Sequence, residues 1–254
     1  HKTQVGPLSI QRPLYPEQHI CHVYLLHPPG GVVGGDSLNI TAQLASGAHT
    51  MVTTPGATKF YRSEQRLAKQ EQTLIVADNA TLEWLPQENI FFPDSHVQVD
   101  TQVQIYGSGR FMGWELHCFG RPALDEAFTA GELRGKTEIF IDDQRMLTEQ
   151  LRLNGGDAMF LKHGLQAFPM TGSFYITNQD EALFRVVQDL IAQLQLRYVM
   201  DRLVIAVTQI DGLMVVRALG QWSEDILQVF GLIWQQIRIN WTGRKADLPR
   251  IWAT

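Results

Sequence analysis

Alternation of apolar and polar residues constrains the fold of this chain more than any other feature of its sequence. Between positions 38 and 44, and again between 97 and 105, aliphatic residues recur with a spacing of two and the residues between them are polar. Successive side chains of a β-strand point to opposite faces, so this spacing predicts two strands. Each is expected to cover a core with one face and to contact solvent with the other.

Shorter β-rich runs extend this pattern through the first two-thirds of the chain. They lie at 51–54, 73–76, 81–85, 111–116 and 138–141. Turn-forming residues separate them, and no helical period intervenes. Strands at this spacing predict a mainly β fold with two stacked, largely antiparallel sheet layers.

A helical period replaces the alternation after about residue 170. Leucine, isoleucine and valine residues from 183 to 194 recur on one face of a helix, for which Asn178 and Glu181 are the predicted cap. A second helix is predicted from Ser223 to Gly243. Between the helices, Asp211-Gly212 predicts a tight turn between two strands.

These elements predict the order strand, helix, strand, strand, helix near the end of the chain. No linker rich in serine or proline precedes them. We therefore expect one domain over residues 1–254, with a β-rich body at 1–170 and a smaller βαββα lobe with two helices at 171–254.

Composition excludes several classes of function. The formal net charge is −5 without any run of lysine and arginine, which excludes a nucleic-acid footprint. Two cysteines, Cys21 and Cys118, exclude a disulfide framework and fit a reducing cytosol. The uncharged segment 37–58 contains too many polar residues for a membrane helix, and residues 1–12 show no secretion signal. A cytoplasmic protein is expected.

The segment 19–36 is the densest in side chains that bind transition metals. Cys21, His22 and His27 supply thiol and imidazole ligands. In an extended strand His22 points away from Cys21, whereas structural zinc needs four converging ligands. Histidines of the core or the surface are the alternative interpretation.

Asp36 follows four glycines that predict a sharp turn. The glycines lack the Lys-Ser or Lys-Thr pair of a phosphate-binding loop. The Asp36 carboxylate either points inward or accepts a hydrogen bond from its own turn, as turn aspartates commonly do. The sequence leaves both interpretations open.

No motif of an enzyme is present. Gly-x-Ser-x-Gly, Ser-x-x-Lys and His-Glu-x-x-His are all absent, and Gly107-Ser108-Gly109 is predicted to be a hairpin turn. A β-rich hydrolase that uses two carboxylates stays open as an alternative, although no motif positions them.

Six segments carry a likeness that extends over the whole chain. They are VGPL at 5–8 with QRPLYPE at 11–17, the run 21–36, TPGATKFYRS at 54–63, LEWLPQE at 82–88, GRP at 120–122 and LPRIW at 248–252. In this order they resemble the UreD (also UreH) family of urease accessory proteins. Family members carry a further β-rich stretch before the Gly-Pro motif, so the first sheet is expected to be incomplete.

The resemblance implies a nickel-delivery chaperone and not an enzyme. Proteins similar to this one bind the accessory protein UreF and, through it, the GTPase UreG, and they dock on apo-urease while nickel is inserted. A hetero-oligomer is thus expected, with transient Ni²⁺ and no tightly bound cofactor. A purely structural scaffold that never contacts metal is the alternative.

The resemblance also implies an internal nickel tunnel. Nitrogen and sulfur cages hold late divalent metals firmly, so carboxylates, hydroxyls and waters suit transfer better. The predicted path residues are Asp36, Thr58, Glu115 and Glu149, and the second-line metal candidates are Cys21, His22 and His27.

The contact with a UreF-like partner is predicted on the C-terminal third. Trp234, Arg250 and Trp252 offer the tryptophan and arginine side chains that are enriched at interfaces. A role of the two tryptophans in the core is the alternative.

Overall fold

The computed structural model describes residues 1–17, 19–197 and 202–253. Its two α-helices are α1 (Glu181–Gln195) and α2 (Ser223–Thr242). The strands are β1 (Ser9–Ile10), β2 (Cys21–Leu26), β3 (Ser37–Leu44), β4 (His49–Thr53), β5 (Thr58–Phe60), β6 (Leu67–Val76), β7 (Thr81–Leu85), β8 (Asn89–Phe91), β9 (Ser95–Ile105), β10 (Arg110–Arg121), β11 (Glu126–Ala127), β12 (Gly131–Ile141), β13 (Gln144–Asn154), β14 (Met170–Thr177), β15 (Leu203–Ile210) and β16 (Leu213–Gly220). Within the described ranges, no helix is both long and apolar enough to cross a membrane.

The strands form two sheets. The larger sheet has the order β1-β2-β4-β7-β10-β14-β16-β15, with the short strands β8 and β11 paired to β10 and β5 paired to β8. The smaller sheet has the order β13-β12-β9-β6-β3. The prediction of a mainly β fold is confirmed.

The predicted antiparallel pairing is wrong for the body of the molecule. Strands β2, β4, β7 and β10 are mutually parallel, and so are β3, β6, β9 and β12. The chain passes from one sheet to the other after most of these strands, and a strand of the other sheet takes the place of the crossover helix that usually connects parallel neighbours. Antiparallel pairs are found at β1/β2, β10/β11, β12/β13 and from β10 through β14 and β16 to β15.

Three apolar clusters stabilise this arrangement. One lies between the larger sheet and the two helices, and it includes Trp114, Phe174 and Phe230. The other two lie between the sheets, one around Leu74 and Val103 and one around Phe91 and Val99. The helices therefore cover the outer face of the larger sheet, and the smaller sheet covers its inner face.

The predicted order strand, helix, strand, strand, helix is confirmed by β14, α1, β15, β16 and α2. The cap of α1 differs from the prediction: the Asp180 carboxylate accepts from the Ala182 N–H at 2.8 Å, and Asn178 bonds to the backbone of Asp180. Helix α2 ends as predicted at Gly243, whose φ of 72° is readily adopted by glycine. Strands β14, β16 and β15 continue the larger sheet.

Candidate functional site

A row of polar residues crosses the inner face of the smaller sheet. Gln72, Thr101, Thr137 and Glu149 are direct neighbours in register on β6, β9, β12 and β13. This row separates the two apolar clusters that lie between the sheets. Because buried polar groups need hydrogen-bond partners, such a row inside a core requires a polar counterpart on the facing sheet.

The larger sheet supplies that counterpart. Glu115, Ser173 and Arg217 are neighbours in register on β10, β14 and β16. Odd-numbered residues of β10 face the smaller sheet, while even-numbered ones such as Trp114 face the helices. The two polar rows therefore face each other across the space between the sheets.

Glu115 joins the two sheets. Its Oε1 accepts a hydrogen bond from the Thr101 hydroxyl at 2.5 Å, and its Oε2 accepts one from the Thr137 hydroxyl at 2.7 Å. Gln72 in turn donates to the Thr101 oxygen at 2.9 Å. Burial raises the pKa of Glu115 above its ordinary value; the two hydroxyls oppose this shift, and the nearby Glu149 adds to it.

Glu149 forms the second carboxylate of the site. Its Oε2 accepts from the Tyr175 hydroxyl at 2.8 Å and from Ser173 at 3.5 Å, and its Oε1 pairs with the Arg217 guanidinium. Burial raises the pKa of Tyr175 well above its ordinary value, and the carboxylates Glu115 and Glu149 contribute to the same direction. Tyr175 therefore keeps its proton at physiological pH and donates a hydrogen bond to Glu149.

Two cavities meet this polar layer. The first, of about 180 Å³, is bordered by Thr58, Gln72, Asn89 and Glu115 among others. The second, of about 360 Å³, is bordered by Glu115, His117, Glu149 and Arg217 among others. Both exceed by far the roughly 10–15 Å³ that one water molecule needs. Glu115 lines both cavities and is the point at which they approach each other.

The predicted path residues occupy different parts of this interior. Thr58 lines the first cavity, at the end of the loop 54–58 that forms one of its walls. Glu115 and Glu149 lie at the second cavity. Asp36 lies apart from the lining of both, and its carboxylate accepts from the Val33 N–H at 3.1 Å, as expected of a turn aspartate. Glu115 thus shares one cavity with Thr58 and the other with Glu149.

The second-line metal candidates are spread over different surroundings. His22 is buried and contacts Glu17 at 2.9 Å, whereas Cys21 points to the other face of β2. His27 borders the first cavity; burial lowers its pKa, and Asp36 partly opposes this. Across the residues that the structure describes, no three side chains of histidine, cysteine, aspartate or glutamate converge in a way that could hold a metal ion.

The three residues predicted to contact a partner protein differ in how deeply they are buried. Trp234 is completely buried, and its indole N–H donates to Glu83 at 2.7 Å, so its ring has no surface available for a partner. Trp252 is partly buried, meets the ring of Trp234 edge to face with centroids 5.6 Å apart and donates to Thr53 at 2.9 Å. Only Arg250 of the three is exposed.

The sequence did not predict a buried network of charged side chains. Glu83 is fully buried, accepts a hydrogen bond from Arg238 at 2.8 Å and pairs with His49 at 2.6 Å. Arg238 also donates to Glu17 at 2.8 Å. Burial raises the pKa of Glu83, and its contacts with His49 and Arg238 outweigh this and lower it. The only available signal was Arg238 next to Ile237 on the apolar face of α2.

Sequence reasoning also missed Gln72, Thr101, Thr137 and Arg217. Thr101 had a signal, because it interrupts the apolar face of a strand that otherwise presents Val97, Val99, Val103 and Ile105. A polar residue in the middle of such a face indicates either a partner from another element or a wet space. Here Glu115 is the partner, and it lines the cavities next to Thr101.

These features define a β-rich protein with a polar, carboxylate-bearing interior. The family model described as UreD urease accessory protein matches residues 1–253. A urease accessory protein UreD of Aliivibrio fischeri strain ES114 is 48% identical over 100% of this chain and 90% of the relative. Those of Escherichia coli and Klebsiella aerogenes are 46% and 41% identical, over 100% and 98% of this chain and 90% and 88% of the relatives. The chain belongs to the UreD family of urease accessory proteins.

Proposed function

We propose that this protein delivers nickel during urease maturation. In this proposal it docks on apo-urease, links it to UreF and the GTPase UreG, and passes Ni²⁺ through its interior toward the urease active site. Membership of the UreD family supports the accessory role. The observation that carries the nickel step is that Glu115 lines both cavities between the sheets.

The chemistry of the interior suits a cation in transit. The groups around Glu115 are carboxylate and hydroxyl oxygens, from Thr101, Thr137 and Glu149, and not a cage of imidazoles and thiolates. Oxygen ligands bind late divalent metals less firmly than nitrogen and sulfur ligands do, so they release the ion more readily. Both cavities have room for several water molecules, which would keep the ion hydrated on either side of Glu115.

The electrostatics of Glu115 fit the same role. Burial raises the pKa of Glu115, which reflects the cost of a negative charge between the sheets. A cation beside the carboxylate favours its ionised form and offsets this cost.

Docking on the partner proteins is assigned to the C-terminal third of the chain. Support comes from the exposed side chains of Arg250, Leu248 and Trp222, the last two being 59% and 41% accessible. Tryptophan and arginine are enriched where protein interfaces gain their affinity. With UreF, UreG and apo-urease as partners, the proposed complex is a hetero-oligomer.

Glu115→Gln tests the proposal. The substitution keeps the shape of the side chain and removes its charge; the amide oxygen still accepts from one threonine hydroxyl, and the amide nitrogen donates to the oxygen of the other. The matched control is Glu71→Gln on β6, which lies on the exposed face of the smaller sheet. Copurification with UreF and UreG reports assembly, and mass spectrometry of the metal content of urease reports delivery.

We expect both variants to assemble as the wild type does, and Glu115→Gln alone to leave urease short of nickel. Normal nickel loading by Glu115→Gln would contradict the conduit and favour a scaffold that never contacts the metal. Turnover of a panel of esters, amides and glycosides by the isolated chain would favour the hydrolase alternative.

A further inference from the structure

The second cavity opens to solvent beside an ion pair that joins the two sheets. Arg217 projects from β16 of the larger sheet and pairs with Glu149 on β13 of the smaller sheet. Their side chains are 46% and 24% accessible, so the pair lies at the boundary between the cavity and bulk water. Both residues line the cavity. Any cation that reaches Glu149 must compete with this guanidinium.

Glu149 keeps its position without help from Arg217. Tyr175 donates to the same carboxylate at 2.8 Å and Ser173 lies within 3.5 Å, and both are neutral donors on β14 of the facing sheet. Arg217 is the only partner of Glu149 among these contacts that carries charge. Its departure would leave a fixed, partly hydrated carboxylate ready for another cation.

The two cavities differ in their positive charge. The second is bordered by Arg217 and Lys136, and Lys136 is itself held by Glu138 at 2.8 Å. The described residues that border the first cavity include neither lysine nor arginine. Of the two cavities, only the second therefore has cationic side chains in its described lining, and one of them lies next to Glu149.

We propose that the Arg217 guanidinium pairs with Glu149 whenever no Ni²⁺ is bound there, and that this pairing makes this end of the passage selective for divalent ions. The inference rests on the nickel passage proposed above. At equal distance a divalent ion is attracted to Glu149 twice as strongly as a monovalent one. A monovalent ion gains no more than the guanidinium already provides, because arginine and carboxylate match in geometry. A divalent ion can displace Arg217, which re-pairs once the ion has left and so prevents tight retention.

Nickel binding by the isolated chain tests this inference. Equilibrium dialysis against Ni²⁺ compares the wild type with Arg217→Gln, Arg217→Lys and the double variant Glu149→Gln/Arg217→Gln. Arg185→Gln on α1 is the control, since Arg185 also pairs with a glutamate but is 73% accessible and lies away from the cavities. Far-ultraviolet circular dichroism verifies that each variant is folded.

We expect Arg217→Gln to bind Ni²⁺ roughly five- to tenfold more tightly, as the loss of a half-exposed competing charge implies. Arg217→Lys and Arg185→Gln should bind as the wild type does, and Glu149→Gln/Arg217→Gln should lose the gain. Potassium should weaken nickel binding more in Arg217→Gln than in the wild type. Unchanged affinity in Arg217→Gln, or a gain that persists without Glu149, would overturn the inference.

The two proposals fail in different ways. If Arg217→Gln binds nickel normally while Glu115→Gln still leaves urease without nickel, only the role of Arg217 is wrong. If Glu115→Gln delivers nickel normally, the passage itself is wrong.

Discussion

Replacement of Arg238 by methionine should destabilise the protein more than any surface substitution. Arg238 is 1% accessible, and its guanidinium neutralises Glu83, which is fully buried. The same guanidinium binds Glu17 and lies 5.5 Å from the centroid of the Trp234 ring. Removing one partner of a buried ion pair costs about 3–5 kcal/mol, because the other charge stays buried. This is a large part of the roughly 5–15 kcal/mol that stabilises a typical protein.

The assay is urea unfolding followed by tryptophan fluorescence, to which Trp234 beside Arg238 contributes. In thermal unfolding of a chain of this length, the same loss of 3–5 kcal/mol corresponds to a fall in the melting temperature of roughly 10 °C. Glu83→Gln/Arg238→Met removes both charges and should be less destabilised than Arg238→Met alone. Arg185→Met, which breaks an exposed pair on α1, should cost less than about 0.5 kcal/mol. A loss below about 1 kcal/mol for Arg238→Met would refute the reasoning.

Three further predictions concern stability. Burial raises the pKa of Glu115 in the folded state above its unfolded value of about 4.3, so the free energy of unfolding of the wild type falls as pH rises between these two pKa values. Glu115→Gln does not titrate, so its stability in urea relative to the wild type should increase over the same range. A difference that stays constant with pH would contradict this. A Cβ on Gly172 would lie 3.0 Å from Phe230, so Gly172→Ala should cost about 1–3 kcal/mol in thermal unfolding, whereas Gly231→Ala, with open space at its Cβ, should cost nothing. Trp252→Phe keeps an aromatic ring but loses the bond to Thr53 and part of the packing of the indole, which should cost at least about 0.5–1.5 kcal/mol, and an unchanged midpoint in urea would argue against that bond.

The positions of the strands could be predicted because alternation reports which side chains face a core. The predicted segments 38–44, 81–85 and 97–105 fall within β3, β7 and β9. Alternation contains no information on the direction of a neighbouring strand, so the parallel pairing of β3, β6, β9 and β12 was missed. That pairing depends on the chain passing from sheet to sheet, which is a property of the tertiary fold.

The candidate site was only partly predictable for a related reason. Glu115 and Glu149 were named from the family pattern, but their meeting depends on two strands from different sheets. Glu83 and Glu115 look alike in the sequence, as acidic residues beside a tryptophan in a β-rich run. One faces the helices and pairs with Arg238, and the other faces the smaller sheet and two threonines. Only the packing of the layers separates these two roles.

The central claim is that Ni²⁺ passes between the sheets beside Glu115. Anomalous diffraction at the nickel edge tests it most directly, on crystals of the complex with UreF and UreG soaked in a nickel salt. We expect an anomalous peak in the interior, within coordinating distance of the oxygens of Thr101, Glu115 or Glu149, that disappears in Glu115→Gln. Peaks confined to histidines of the outer surface, with an interior that stays free of metal at saturating nickel, would contradict it.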